Sequence, residues 1–476
     1  MASFREAVRL DPSCALCEWG IALSLGSNYN SPTDPERERT AYAAAQRAQA
    51  LAGGANERER ALIAATLRRH SPDPAADRKA LDRAYADALR DAVARFPDDL
   101  DAATIYADSL MNLRPWDLWQ PDGQPHPGTT EAIATLERVL AATPDHPGAN
   151  HLYIHALEAS PHPKRAEAAA DRLRGLVPGA GHMVHMPSHI YFRVGRYAEA
   201  GEVNERALEA DRAYFERREP SPIYRMLYYP HNIDFIWAAA AMEGRSAEAL
   251  RAARELAAEV SLEDVRQMTD MEVAPAAPLY VLARFGRWEE VLREPAPPAE
   301  LLYTTGIWRY ARGLAFAAGG RLDEAQGELD ALAAHRAAVP PERTLAGYFK
   351  TVDMLRLAED VLAGELAARR GDTAEAVRRL EAAAAAQDGH WFTEPPPWYY
   401  PVRQSLGSVL LAGGRAAEAE AVYREDLRLN PANGWSLFGL AQALRAQGKE
   451  PEAAAADEEF RRAWARADVA LTASRF

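Results

Sequence analysis

Apolar positions along the chain recur at helical spacing, in runs rich in alanine and leucine that glycine interrupts at regular points. Gly195-Arg196, Gly244-Arg245, Gly286-Arg287, Gly320-Arg321 and Gly414-Arg415 each separate two such runs, and Gly371 and Gly448 play the same part. Glycine suits a tight junction between helices because it reaches positive φ without steric cost. The steps from Gly286 to Gly320 and from Gly414 to Gly448 are both 34 residues. The second run of each unit keeps its own register. Phe4, Ala7 and Pro12 share their spacing with Leu136, Val139 and Pro144, and Tyr423, Leu427 and Pro431 follow with a one-residue shift in the middle. Pro12, Pro97, Pro144, Pro178 and Pro431 fall where a helix must stop. Alternating runs rich in Val, Ile and Thr are scarce, so no strand is predicted.

Thirty-four residues is the period of the tetratricopeptide repeat. In turn residues, helix pattern and spacing, nearly the whole chain resembles that superfamily. The resemblance implies an all-α, right-handed superhelical solenoid of antiparallel helix pairs, because no pair buries its apolar stripe alone. About eight or nine pairs fit the length. The longer steps, 195 to 244 and 320 to 371, predict inserted segments. One solenoid over 1–476 is expected, with N-terminal repeats over 1–145, histidine-rich repeats over 146–260 and C-terminal repeats over 261–476. Met1 falls inside the second helix of a repeat. Either sequence precedes it in the full protein, the start lies late, or residues 4–11 form a cap.

Composition narrows the partners. The hydrophobic share of 48% is ample for a core, and a net charge of −14 disfavours nucleic acid, which needs a basic surface. No apolar run approaches the roughly 18 residues that span a bilayer, so no membrane association is expected. The first residues carry no signal pattern, which predicts a cytoplasmic location, or a periplasmic one if a leader precedes Met1. Two cysteines make no disulfide scaffold, and the lone C-x-x-C of Cys14 and Cys17 reads as two small core residues.

The candidate chemistry lies in histidine. Seven of the 12 fall between 151 and 231, and six of these share the repeat register: His151, His155, His182, His185, His189 and His231. His151/His155 and His185/His189 are i, i+4 pairs on one helix face, and His182 joins the second pair. His151 to His185 and His155 to His189 are one repeat apart, at 34 residues. His182 to His231 is 49 residues, the same step as Gly195 to Gly244, which puts Asp234 at the place of His185. All six fall on the second, fifth and ninth places of first helices, which line the concave groove in tetratricopeptide proteins. Nine such places would hold roughly 0.2 histidines by chance at this chain's histidine frequency. A set of ligands nearly free of carboxylates suits copper or zinc, one or two ions, rather than magnesium or calcium. Met183 and Met186 would favour copper unless they turn into the core. The competing reading is a polar peptide-binding or pH-sensing surface. His70, His126, His146, His162, His335 and His390 lack the register and read as surface or loop residues.

Pro187 either kinks a helix and tilts His182 and His185 inwards, or starts a helix and leaves them in a loop. Asp101 and Asp108 occupy groove places, with Asp108 a candidate to bind substrate; Asp234 is a candidate acid, base or ligand. Two aromatic segments outside the repeat read as lids over the groove or as packing plugs. They are Trp116–Trp119, and His390-Trp391-Phe392-Thr393-Glu394 running on to Trp398, Tyr399 and Tyr400. Trp116 and Trp398 are thus candidate substrate contacts, Glu394 a candidate acid/base, and Arg193 the clearest cation for a peptide or substrate carboxylate.

The segment GHMVHMPSHIYFRVGRY over 181–197, with Asn150-His151 and Tyr229-Pro230-His231-Asn232 on either side, resembles a bacterial group of tetratricopeptide proteins rich in such histidines. The resemblance implies fold and site and carries no activity. The expectation is a metal-dependent enzyme acting on a small molecule or peptide, a copper oxidoreductase ahead of a zinc hydrolase. The alternatives are a peptide-binding scaffold, or a protein that stores or transfers metal without catalysis.

Overall fold

The structure is a computed structural model that describes residues 1–73, 75–345, 349–390 and 392–476. Its elements are helices, apart from one antiparallel ribbon of Thr344–Leu345 against Phe349–Lys350. That ribbon lies in the longer step between Gly320 and Gly371, where an insertion was predicted and a strand was not.

The chain divides into two compact units, Met1–Leu176 and Val177–Phe476. Each is a tetratricopeptide-like stack of helix pairs. In the first, Ala2–Leu10 precedes four pairs: Ala15–Leu25 with Pro35–Leu51, Glu57–Arg69 with Arg78–Arg95, Leu100–Met111 with Thr129–Ala142, and Pro147–Glu158 with Glu167–Leu176. Asp34, Asn56, Asp77 and Asp99 start four of these helices by accepting backbone N–H bonds. The second unit holds seven pairs. Four plus seven makes eleven among the described residues. The expected eight or nine is too low, because none of the four pairs in the first unit carries the glycine-arginine junction that marks pairs in the second.

The seven turn glycines read from the sequence all have positive φ, from +63° at Gly286 to +82° at Gly195. Behind five of them stands a repeated ion pair. Arg196, Arg245, Arg287, Arg321 and Arg415 each bind the glutamate three residues on, at the start of the next helix. A carboxylate in the first turn also faces the positive end of the helix dipole.

Two sequence readings need correction. Cys14 and Cys17 form a disulfide, because Cys14 caps the helix Ala15–Leu25 and Cys17 sits one turn on, on the same side. His70 is no surface residue; it is buried, with Nδ1 2.9 Å from Glu38 Oε2.

The second unit closes on itself. Its last helices and C-terminal residues pack along the turns of its first three pairs. A Cβ on Gly195 would lie 2.4 Å from the Pro431 carbonyl oxygen, and one on Gly244 would lie 2.3 Å from the Trp464 ring. Asp468 caps the helix Ser246–Glu259 by accepting from the backbone N–H of Ser246 at 2.7 Å and of Ala247 at 2.9 Å. Trp435, fully buried, donates from Nε1 to the Ala241 carbonyl at 3.0 Å. Burying an aromatic side chain of this size stabilises by about 3 kcal/mol, so the closure is part of the core. No helix among the described residues is long and apolar enough to cross a membrane.

Candidate metal centre

The histidine segment of the second unit is helical on both sides of Pro187, as Gly181–His185 and Pro187–Arg193, with Met186 between them in helical conformation. Of the two readings of Pro187, the one that leaves His182 and His185 in a loop fails, since both lie in helix. Proline removes one N–H but lets the chain resume its helix at once.

Gly181 starts this segment against a buried carboxylate. A Cβ there would lie 1.9 Å from Asp211 Oδ1, so only glycine admits it. Asp211 accepts from the Tyr224 hydroxyl at 2.6 Å and from Asn232 Nδ2 at 3.0 Å. It thereby ties the helix of His182 and His185 to the π-helical turn Tyr224–Tyr228 and to the helix Tyr229–Met242, which carries His231. Burial pushes its carboxyl up to about 6.

His185, His189 and His231 offer ligand atoms that all lie within 4.8 Å of one another. The Nε2 atoms of His185 and His189 are 2.9 Å apart. On the far side of His185, Nδ1 is 2.6 Å from Asn204 Oδ1. The amide cannot be flipped, because Asn204 Nδ2 donates to the Ala200 carbonyl at 2.7 Å. His185 therefore carries its proton on Nδ1 and presents an Nε2 lone pair. His189 Nδ1 lies 3.3 Å from Glu394 Oε2, an ion-pair distance. Burial, and then the neighbouring imidazoles of His189, His231 and His182, hold the pKa of His185 well below the usual histidine range. Phe235, one turn after His231, packs its buried ring 5.0 to 5.2 Å from all three imidazoles and fixes their planes.

The other expected residues lie as follows. His182 stands beside the trio, its ring 6.0 Å from that of His185 and 4.9 Å from that of Tyr228. Asp234 accepts from Trp237 Nε1 at 2.6 Å, and desolvation pushes its carboxyl up to about 7. Met186 is buried in the core and Met183 half-buried. Arg193 places its guanidinium over Phe392, 5.1 Å from the ring centre. Trp398 is 1% exposed among Tyr280, Tyr310 and Tyr400, so the expected substrate contact is a packing plug. Trp391, part of the second predicted lid, lies outside the described residues.

The six histidines divide between the units. In the first, the rings of His151 and His155 are 4.8 Å apart, and His155 Nδ1 is 2.9 Å from the buried Glu158 Oε1. Tyr29 and Trp116 flank His155 at 4.8 Å and 6.0 Å between ring centres. Trp116 takes a positive φ of 61°, an uncommon conformation for a bulky side chain. Asp108 accepts from Asn112 Nδ2 at 2.9 Å, and burial raises its pKa while Arg69 and His155 oppose the rise.

Sequence reasoning missed Asn204, Asp211 and Glu158. Only Glu158 left a signal there, three residues after His155 on the same helix face.

No family model and no curated protein matches the chain. Among solved structures it is similar to a human IFIT1 dimer with m7Gppp-AAAA, at 11% identity over 90% of this chain and 86% of that chain, with a TM-score of 0.34. It is similar to a Rap protein complexed with Competence and Sporulation Factor, at 12% identity, 94% and 97% coverage and a TM-score of 0.35. It is also similar to yeast Tom70, at 13% identity, 96% and 87% coverage and a TM-score of 0.30.

Proposed function

We propose that this helical-repeat scaffold binds a transition-metal ion through His185, His189 and His231, and that the ion serves a reaction on a small molecule or peptide. One observation carries the reading: two Nε2 atoms 2.9 Å apart, that of His185 turned inward as a lone pair by the amide oxygen on its Nδ1 side, with a ligand atom of His231 within 4.8 Å of both. A lone pair so placed takes a proton from His189 or a cation shared with it. Burial and the neighbouring imidazoles disfavour the proton on His185. An acceptor on the outer nitrogen of each ligand imidazole is also the usual support of a histidine metal site.

Three neutral imidazoles suit copper or zinc, and three protein ligands leave a position open to substrate. With Met186 in the core, methionine gives copper no separate support. Copper would make the protein an oxidoreductase and zinc a hydrolase. The ion, when bound, would supply redox or Lewis-acid chemistry. The chain's own residues do the rest. Asn204 sets the tautomer of His185, Glu394 orients His189, and Phe235 holds the three rings. Asp234, one turn after His231 and with its carboxyl raised by burial to about 7, would be the group to take or give a proton at neutral pH.

Metal analysis of protein purified without a histidine tag, before and after copper or zinc addition and desalting, tests this. About one ion per chain is expected from one three-ligand site; less than about 0.2 per chain after loading would sink the reading. The second reading, a scaffold that grips a peptide or other partner, rests on the stacked helix pairs themselves. It is favoured if a co-purifying partner stays bound after His185→Ala and His189→Ala.

A further inference from the structure

Away from the histidines, the second unit contains a partly open cleft. It opens at the C-terminal ends of the helices Val273–Arg284 and Thr351–Arg369, and Arg284, Arg369, Arg475 and Glu365 line it. Glu365 is the one acidic side chain on the lining and already binds Arg475. Arg284 and Arg369 form no ion pair among the described residues, in a protein whose net charge is −14.

Arg284 is the unusual member. Three arginines among the described residues are more than nine-tenths buried: Arg69, Arg245 and Arg284. Arg69 pairs with Asp82, and Arg245 with Glu243 and Glu248. Arg284 donates from Nη2 to the amide oxygen of Gln404, and no carboxylate among the described residues forms an ion pair with it. Asp426 is reached only through the other end of that amide. Trp435 and Tyr400 hold the guanidinium in place, 3.5 Å and 5.0 Å from their ring centres. Burial lowers its pKa to about 10, so it stays charged at neutral pH. A buried cation with no ion-pair partner is costly, and a bound anion would offset that cost.

We propose that this cleft binds a small, doubly charged oxyanion, a phosphomonoester or a dicarboxylate. Arg284 and Arg369 clamp the charged group, and the rest of the ligand lies against Trp288 and Phe476. The planar fork of each guanidinium suits two-point binding of either group. The site shares no residue with the histidine trio and stands apart from the metal reading.

Titration calorimetry on the full chain at low ionic strength, with inorganic phosphate and with succinate as probes, tests it. Saturable binding of at least one probe at one site per chain is expected, and the preferred probe separates the two ligand classes. Arg369 is exposed, so Arg369→Gln should unfold at an unchanged temperature and bind about tenfold more weakly. Leu314→Trp fills the cleft without touching a charge and should also abolish binding. Failure of both probes to saturate at about 10 mM, or wild-type affinity in either variant, would overturn the proposal.

Discussion

His185 and His189 point their Nε2 atoms at each other across 2.9 Å, on consecutive helical turns on either side of Pro187. An i, i+4 spacing alone places two imidazoles on one face. Here Asn204 also decides which nitrogen of His185 faces its neighbour.

Zinc should therefore stabilise the fold. At a free concentration about 100 times the dissociation constant, binding to the native state adds about 2.7 kcal/mol. Denaturant unfolding with and without zinc measures this. His185→Ala should lose the increment, and an equal increment in that variant would place the ion elsewhere.

Asn204→Ala should weaken metal binding by about 10- to 100-fold, as removal of a ligand's hydrogen-bond partner typically does. Asn204→Asp keeps an acceptor for His185 Nδ1 and should bind nearly as tightly as the native protein. Competition with a chromophoric chelator reads both. Similar losses in both variants would mean that residue 204 acts through packing alone.

Asp234 sets a pH dependence. Its carboxyl is raised from 3.8 to about 7 in the folded protein. Between those values the folded state binds more protons than the unfolded chain, so stability falls as pH rises through that window. The slope is at most about 1.4 kcal/mol per pH unit for one group, and less with solvent screening. Asp234→Asn should flatten the profile between about pH 4 and pH 7 in urea titrations. An unchanged slope would refute the assignment.

Closure of the second unit is testable at a distance. Asp468→Ala removes the cap of the helix Ser246–Glu259 and should cost about 1 kcal/mol. Gly244→Ala should cost more, about 2 kcal/mol or above, because φ there is +73° and the new Cβ meets Trp464. Hydrogen exchange should show both changes loosening residues 246–259. Loosening confined to the C-terminal residues would argue against the mutual support.

How much of this was legible beforehand depended on the range of the forces involved. The turn glycines, the helix pairs and the i, i+4 histidines were readable because each follows from backbone geometry within one or two turns. Asn204 and Asp211 were not, since polar residues within Tyr197–Phe215 look like any solvated face until that helix is packed against its partner. The chain's sequence by itself determined a stack of helix pairs and a concentration of histidines in three of them. Only the tertiary structure decided which histidines meet, which nitrogens they present, and that residues 222 apart, Ser246 and Asp468, share a hydrogen bond. Local spacing encodes the first kind of fact; the second depends on long-range packing, which no short pattern records.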